Sequence, residues 1–368
     1  MKYYCINVSN LHSGGALQVA ASFIHELSRD PISHRFTLLI STSVKDQLHK
    51  LNVDLNVFNN LIVFDSFGIK SIFTNSYFDF SIFESVFTLF GPFYTLKKPK
   101  RSIVGFAQPW IIFNTFDLLK KIGFLPWIFL RLKFFIQEIF FSYSSDVIIV
   151  EATYMKRLLS RTFLRNKLIF VVNNSFSSVF LDYSLDSQSD TNPNFVKVGY
   201  LGKNYPHKNL SILKDVASIL NNDFGLSFKF YVTLDDAEWF KLNNPPSKYL
   251  VNIGVLDIHS CPSFIDSMDA MILPSLLECF SALPVESLVM KTPIFLSDRL
   301  FNTEIVGDFA IYFDPHNPFD IATKLKNYFS QDPSFSVDLN SARNYVLSLY
   351  SAQDRMKQYL KVILNDFS

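Results

Sequence analysis

Glycine is scarce in this chain, 11 in 368 residues, so each place where two fall together or one follows a strand pattern is informative. Cysteine is scarcer. Cys5, Cys261 and Cys279 are odd in number, far apart and lack metal-ligand spacing, which argues against a disulfide framework or a cysteine-bound metal and suits a reducing compartment. No Asp-x-Asp triplet occurs, so a common carboxylate clamp for a metal-bound diphosphate is missing. The most hydrophobic stretch, FLPWIFLRLKFFIQEIFFSY at 124–143, is interrupted by Arg131, Lys133 and Glu138. A spanning helix needs about 20 apolar residues, so this stretch reads as a core helix or one lying in a membrane interface. The opening MKYYCINVSN turns polar within ten residues and carries no visible export signal.

Net charge is nearly absent too, at +1, but it is unevenly spread. Residues 1–175 hold 19 Lys and Arg against 11 Asp and Glu, whereas the rest holds 15 against 22. Most of the positive excess lies between Lys97 and Lys167, which suggests an anionic surface or ligand for the first half, or simply solvated helix faces.

What is present is core material: 49% hydrophobic residues, including 40 phenylalanines. A chain of this length exceeds one ordinary core and predicts two domains. Apolar runs alternate with helix-period segments in both halves, the pattern of parallel sheets with crossover helices. Strands are expected at YYCINVS, RFTLLIS, FDFSIF, SIVGFA, DVIIV and LIFVVN, then after a restart at FVKVGYL, FKFYVTL, YLVNIGV, AMILPS, PIFLS and FAIYFD. A helix is expected over HKNLSILKDVASILN, and LDYSLDSQSDTNPN is the best linker. The expected fold is α/β, two Rossmann-like domains facing each other across a cleft. Its parts are an N-terminal domain (1–180), a linker (181–194), a C-terminal domain (195–345) and a terminal helix (346–368) packing back on the first domain.

PSLLECFSALPVESLVMKTPIFLSD, starting at Pro274, sets Glu278 and Glu286 around a helix start that follows a buried strand, with Pro284 suited to the first turn. Free backbone N–H groups and the helix dipole there would hold an anion. Glu286 could accept hydroxyls from a ribose diol and Glu278 those of a second sugar, which together describe a nucleotide sugar. The plainer alternative is that Glu286 complements the helix dipole and Glu278 is a solvated loop residue.

That stretch resembles the double-glutamate motif of the retaining GT-B glycosyltransferases known as glycosyl transferases group 1. EIVGDFAIYFDPHNPFDIATKL, VGYLGKNYPHKNLSIL, NLHSGGALQVA and VVNNSFSSVF are similar to further segments of that family. The resemblance implies that Glu278 meets the donor sugar near the reacting carbon and Glu286 the ribose. Phe280 and the backbone N–H groups of Ser281, Ala282 and Leu283 would hold sugar or phosphate. Lys208 would neutralise the departing diphosphate, with catalytic roles falling to Glu278 and Lys208. Gly14 and Gly15 would let backbone approach that diphosphate.

The chain departs from the family pattern in places. Tyr200 stands where an arginine is common, leaving Lys203 as a candidate second cation. Cys279 and Ser281 replace loop glycines, so a left-handed backbone there would cost about 1 kcal/mol or more. The usual acceptor-side histidine has no clear counterpart, and His12, Gln108 and Trp110 are candidates.

The expected activity is metal-independent, retaining transfer from a UDP- or GDP-linked sugar, a co-substrate rather than a cofactor. The acceptor is a glycan or undecaprenyl-diphosphate-linked oligosaccharide in bacterial envelope polysaccharide (O-antigen or capsule) synthesis. The expected location is cytoplasmic, or peripheral on the inner membrane face, with no nucleic-acid partner. The competing reading is a catalytically inactive GT-B partner or scaffold subunit. A nicotinamide dehydrogenase fits poorly, because HSGGAL lacks the full glycine fingerprint and RFTLLIS ends without an acidic ribose ligand.

Overall fold

A computed structural model describes residues 3–185 and 194–366; most of the expected linker, 186–193, lies outside the described residues. By contact the chain divides into two units. The first comprises Met1–Asn114, Phe124–Ser177 and Tyr350–Ser368, and the second Thr115–Gly123 and Ser178–Leu349.

The first unit is built on seven parallel strands: β1 (Tyr4–Val8), β2 (Phe36–Ile40), β3 (Asn60–Val63), β4 (Ser85–Thr88), β5 (Ser102–Phe106), β6 (Val147–Val150) and β7 (Leu168–Val171). Their order in the sheet is β3-β2-β1-β4-β5-β6-β7. β1, β2 and β5 are buried along their whole length, as expected of parallel strands covered by helices on both faces.

The strand expected at 78–83 is not formed. Phe80–Ile82 is a single 3₁₀ turn, because Asp79 Oδ1 accepts hydrogen bonds from the Ser81 N–H (3.0 Å) and the Ser81 hydroxyl (2.6 Å). A local bond of this kind competes with a strand ladder. The sheet instead takes Ser85–Thr88, whose small polar ends hid it from a hydrophobic pattern, and Ser85 Oγ donates to the Ile363 carbonyl at 3.0 Å.

Helix Ala352–Leu364 returns to this unit and packs on helix Gly14–Ser28, with Tyr359 edge-on to Phe23 at 5.1 Å. Arg355, fully buried, donates to Asn174 Oδ1 (2.6 Å) and Ser22 Oγ (2.8 Å), and Asn174 Nδ2 donates to the buried Glu151 at 2.6 Å. Burying a guanidinium is tolerable only with such partners.

The second unit has six parallel strands: β8 (Val196–Tyr200), β9 (Phe228–Val232), β10 (Leu250–Asn252), β11 (Ala270–Leu273), β12 (Ile294–Ser297) and β13 (Ile311–Phe313), ordered β10-β9-β8-β11-β12-β13. All six were legible in the sequence. The helix expected from His207 starts later: Pro206–Lys208 is a 3₁₀ turn, Asn209 is left-handed at φ 60°, and the α-helix runs Ile212–Ser218. Lys208 therefore sits on a turn before a helix rather than within one.

Each sheet reverses its strand order once, between β1 and β4 in the first unit and between β8 and β11 in the second. In open parallel sheets the carboxyl ends of the strands at such a reversal open onto ligand-binding crevices.

Candidate donor site

The loops leaving β8 and β11 are neighbours because the strands pair directly, Ala270 beside Val198 and Met271 beside Gly199. They are also joined beyond the sheet, where the Leu276 N–H donates to the His207 carbonyl at 2.7 Å. Lys208 comes from the first loop and Glu278 from the second. Lys208 Nζ forms a close ion pair with Glu278 Oε1, and Ser275 Oγ donates to the same oxygen at 2.9 Å. Glu278 is 7% exposed, so the pair is shielded from solvent screening.

The backbone under the pair is fixed from both sides. On the β11 side, Ser297 Oγ donates to the Ser275 carbonyl (2.7 Å), and Asn302 Nδ2 donates to the Ser297 carbonyl (2.8 Å). On the β8 side, Asn209 Nδ2 donates to the Pro315 carbonyl at 2.7 Å, and Lys121 Nζ donates to Asn209 Oδ1. Asn209 tolerates its left-handed backbone better than most residues. Neither Asn209 nor Ser275 was singled out from the sequence. The signal for Asn209 was its place after Lys208 in a turn; Ser275 gave none, since its role depends on where β12 ends.

His207 stacks on Tyr205 with ring centroids 5.5 Å apart. Burial pulls the imidazole's pKa down; the Glu278 charge opposes this and the Lys208 charge adds to it.

After Glu278 the chain enters helix Ala282–Val289. Ser281 precedes it in extended conformation, and its side chain caps nothing. The first-turn N–H groups of Ala282 and Leu283 have no partner within the helix, and Pro284 has no N–H to satisfy. The left-handed strain anticipated at Cys279 or Ser281 is absent: no residue of 274–286 has a positive φ.

Glu286 lies one turn into this helix, mostly enclosed by protein, and its carboxylate has no hydrogen-bond or ion-pair partner among the described residues. Burial pushes its carboxyl up to about 7. Cys261 is raised to about 12, first by burial and then by the Glu286 and Asp257 charges, so its thiol stays protonated.

Lys203 is committed elsewhere. Its Nζ lies 3.1 Å from Asp235 Oδ2 and 3.7 Å from Glu238 Oε2. Tyr200 is buried, and its hydroxyl donates to the Lys203 carbonyl at 2.9 Å. Between them Gly202 adopts φ 145°, where an added Cβ would meet the Tyr200 hydroxyl at 3.0 Å. Phe280 is partly exposed beside Cys279, which is buried.

In the first unit, Gly14 opens helix Gly14–Ser28 directly after the β1 loop with φ 72°, and a Cβ added at Gly15 would meet nothing within 4 Å. His12 is held on three sides: Nε2 lies 2.9 Å from the Ser66 carbonyl, Nδ1 lies 3.5 Å from Asp65, and the ring stacks on Phe67 at 4.2 Å. Gln108 immediately precedes the short helix Pro109–Ile112. Trp110 is buried, stacked parallel on Phe134 at 5.4 Å, and its carbonyl accepts from Arg131 at 2.9 Å, so its ring is a packing element.

No protein-family model matches the chain. No curated protein matches it in sequence. Solved structures match over its full length. HepE from Anabaena, in complex with UDP-glucose, aligns at TM-score 0.71 and 12% identity, covering 99% of this chain and 100% of its own. Sucrose-phosphate synthase from Thermosynechococcus elongatus aligns at 0.69 and 10% identity, covering 100% and 99%. A glycosyltransferase from Rickettsia africae aligns at 0.67 and 16% identity, covering 99% of each chain. With two doubly wound parallel sheets and these likenesses, the chain has the GT-B fold of glycosyltransferases.

Proposed function

We propose that this protein is a glycosyltransferase that takes a sugar from a nucleoside diphosphate sugar and delivers it to a glycan acceptor with retention of configuration. The observation that carries the reading is the Lys208–Glu278 pair, set at a sheet reversal beside an uncapped helix start, with the partnerless carboxylate of Glu286 one turn further on. Glycosyl–phosphate cleavage builds negative charge on the leaving oxygens, and a fixed cation beside backbone N–H groups stabilises it. Lys208 would exchange Glu278 for the diphosphate, freeing the Glu278 carboxylate to accept hydroxyls of the donor sugar. Glu286, ionised, would accept the two ribose hydroxyls. No side chain is assigned as nucleophile. Attack on the same face, with the leaving phosphate taking the acceptor's proton, accounts for retention without a metal.

HepE is solved with UDP and with UDP-glucose, which supports a nucleotide sugar as the donor class here. For the acceptor, we infer a lipid-linked glycan of bacterial envelope polysaccharide synthesis at the inner membrane face, on the strength of the basic, phenylalanine-rich stretch 97–167.

The test is a thermal-shift panel of UDP-, GDP- and ADP-sugars on purified protein, followed by NMR of the product's anomeric configuration. Stabilisation by one nucleotide class, lost in Lys208→Met and Glu278→Gln, is expected. Absence of any nucleotide-dependent shift would overturn the donor site, and an inverted product would overturn retention alone.

A further inference from the structure

Helix Phe124–Ser144 is apolar on two opposite sides, yet only one of them is covered. Phe134 and Phe141 face inward, Phe134 stacked on Trp110 and Phe141 tilted against Phe106. Leu125, Phe129, Leu132, Ile136, Ile139 and Tyr143 are all exposed, Phe129 by 71% and Leu125 by 67%. Their spacing of four, three, four, three and four residues makes one continuous stripe along the helix. At 1.5 Å per residue the stripe is about 30 Å long. Soluble surfaces rarely leave so long a contiguous apolar strip uncovered.

The charges around the stripe decide what covers it. Arg131 and Lys133 lie on the helix's two flanks, about 100° either side of the stripe centre. At its C-terminal end the neighbouring segments add apolar and basic residues together. Exposed Leu96 accepts from Tyr143 through its carbonyl (3.3 Å), and Lys98 lies over the Tyr143 ring at 5.0 Å. Exposed Phe163 packs edge-on to Phe135 at 5.9 Å, beside the exposed Arg161 and Arg165. The helix's one acidic residue, Glu138, has its carboxylate occupied by the Phe163 N–H at 2.8 Å. Protein interfaces are depleted in lysine at their apolar centres. An apolar strip bordered by Lys and Arg is instead the pattern of a helix lying in the plane of an anionic bilayer, with the long basic side chains reaching the headgroups. No helix among the described residues is long and apolar enough to cross a membrane, so the contact would be superficial.

We propose that this outward stripe docks the protein on an anionic lipid bilayer, with the Phe129–Tyr143 ridge entering the acyl boundary and Lys98, Arg131 and Lys133 contacting lipid phosphates. The proposal rests on and deepens the membrane-face reading drawn above from stretch 97–167, and is separate from the donor site: lost vesicle binding with nucleotide-induced thermal shifts intact would overturn it alone.

Co-sedimentation of the full chain with phosphatidylcholine vesicles, with and without phosphatidylglycerol, tests it. Binding to the anionic vesicles is expected, weakened by salt. Phe129→Gln combined with Ile136→Gln and Ile139→Gln should reduce it at least about tenfold. Arg131→Gln with Lys133→Gln should reduce it on anionic vesicles while leaving nucleotide-induced thermal shifts unchanged. Every substituted side chain is exposed, but Arg131 also donates to the Trp110 carbonyl at 2.9 Å, so circular dichroism and thermal denaturation of each variant are compared with the parent before binding is compared. Failure to bind anionic vesicles, or equal binding by the triple variant, would overturn the proposal. So would a solution dimer by light scattering that the triple variant converts to monomer, since a second copy would then be the occupant.

Discussion

The two sheets share one winding, but their reversal points are furnished oppositely. In the second unit the loops after β8 and β11 bring Lys208 and Glu278 into an ion pair, with Glu286 one turn into the helix that follows, and serine and asparagine hydrogen bonds hold the backbone beneath the pair. In the first, the loop after β1 brings two glycines, one with a left-handed φ and one with open space where a side chain would stand. Its nearby histidine is already held by Ser66, Asp65 and Phe67. The same topology thus supplies one reversal with an ion pair and the other with two adjacent glycines at a helix start. The paired charges are concentrated in one unit, while the other places a glycine pair at the corresponding loop.

The largest effect that would break this contrast is loss of the lysine. Lys208→Met should lower transfer or donor hydrolysis by about 10²–10³-fold, as loss of a charge-stabilising donor does elsewhere. It also strands Glu278 in a shielded position, so a stability loss of roughly 3 kcal/mol should accompany it in denaturant titration. Lys208→Met with Glu278→Gln should recover most of the stability and none of the activity. Recovery of both would remove the pair from the chemistry.

Next in size is a test of the first unit's own anchor. Arg355→Leu removes the donor to Asn174 Oδ1 and Ser22 Oγ and the positive charge beside the buried Glu151 and Glu26, and should cost about 3–5 kcal/mol. Nucleotide-induced stabilisation should survive wherever the variant stays folded, because the residues proposed to bind the donor, Lys208, Glu278 and Glu286, lie in the other unit. An equal loss of nucleotide binding would blur the division drawn here.

A smaller effect separates the two glycines. Gly15→Ala meets no atoms and should leave stability unchanged or raised by roughly 0.5–1 kcal/mol, whereas Gly14→Ala should destabilise through its positive φ. If bare backbone at this loop serves the diphosphate, Gly15→Ala should still reduce turnover. Unimpaired turnover would make the pair structural only.

The smallest effect concerns pH. Glu286 has a folded-state pKa near 7, above its unfolded value of 4.5. The native state therefore binds the extra proton between these values, and the residue's contribution to stability is greatest below pH 4.5 and lost as pH rises through 7. Glu286→Gln should be the more stable protein at pH 8 and nearly equal to the parent at pH 4.5. Donor affinity should run the other way, weakening as pH falls below 7 because a protonated carboxyl accepts fewer ribose hydrogen bonds. A donor-binding profile unchanged by Glu286→Gln would place the ribose elsewhere.

How much was legible divides along the same line. All six strands of the second sheet showed in the sequence as apolar runs separated by helical periods. In the first sheet FDFSIF imitated a strand, because a hydrophobic pattern does not reveal that Asp79 will bond locally to Ser81. Glu278, Glu286 and Lys208 stood out through their segments. Asn209 and Ser275, which hold those segments in place, did not: Asn209 donates to the Pro315 carbonyl beyond β13, and Ser275 is fixed through its own carbonyl by Ser297 at the end of β12. Lys203 looked as available as Lys208 in a linear reading, and only the fold gave it to Asp235 and Glu238.

By itself the sequence determined the α/β alternation, the two-sheet plan and the positions of the acidic loop and the glycine pair, because periodicity and glycine conformational freedom are local properties of a chain. The tertiary structure decided which cation meets which carboxylate, why Glu286 holds its proton near neutrality, that Trp110 packs inward, and that an apolar stripe of helix 124–144 faces solvent. Those outcomes depend on distance and burial, and both are set by strands and helices far apart in the chain.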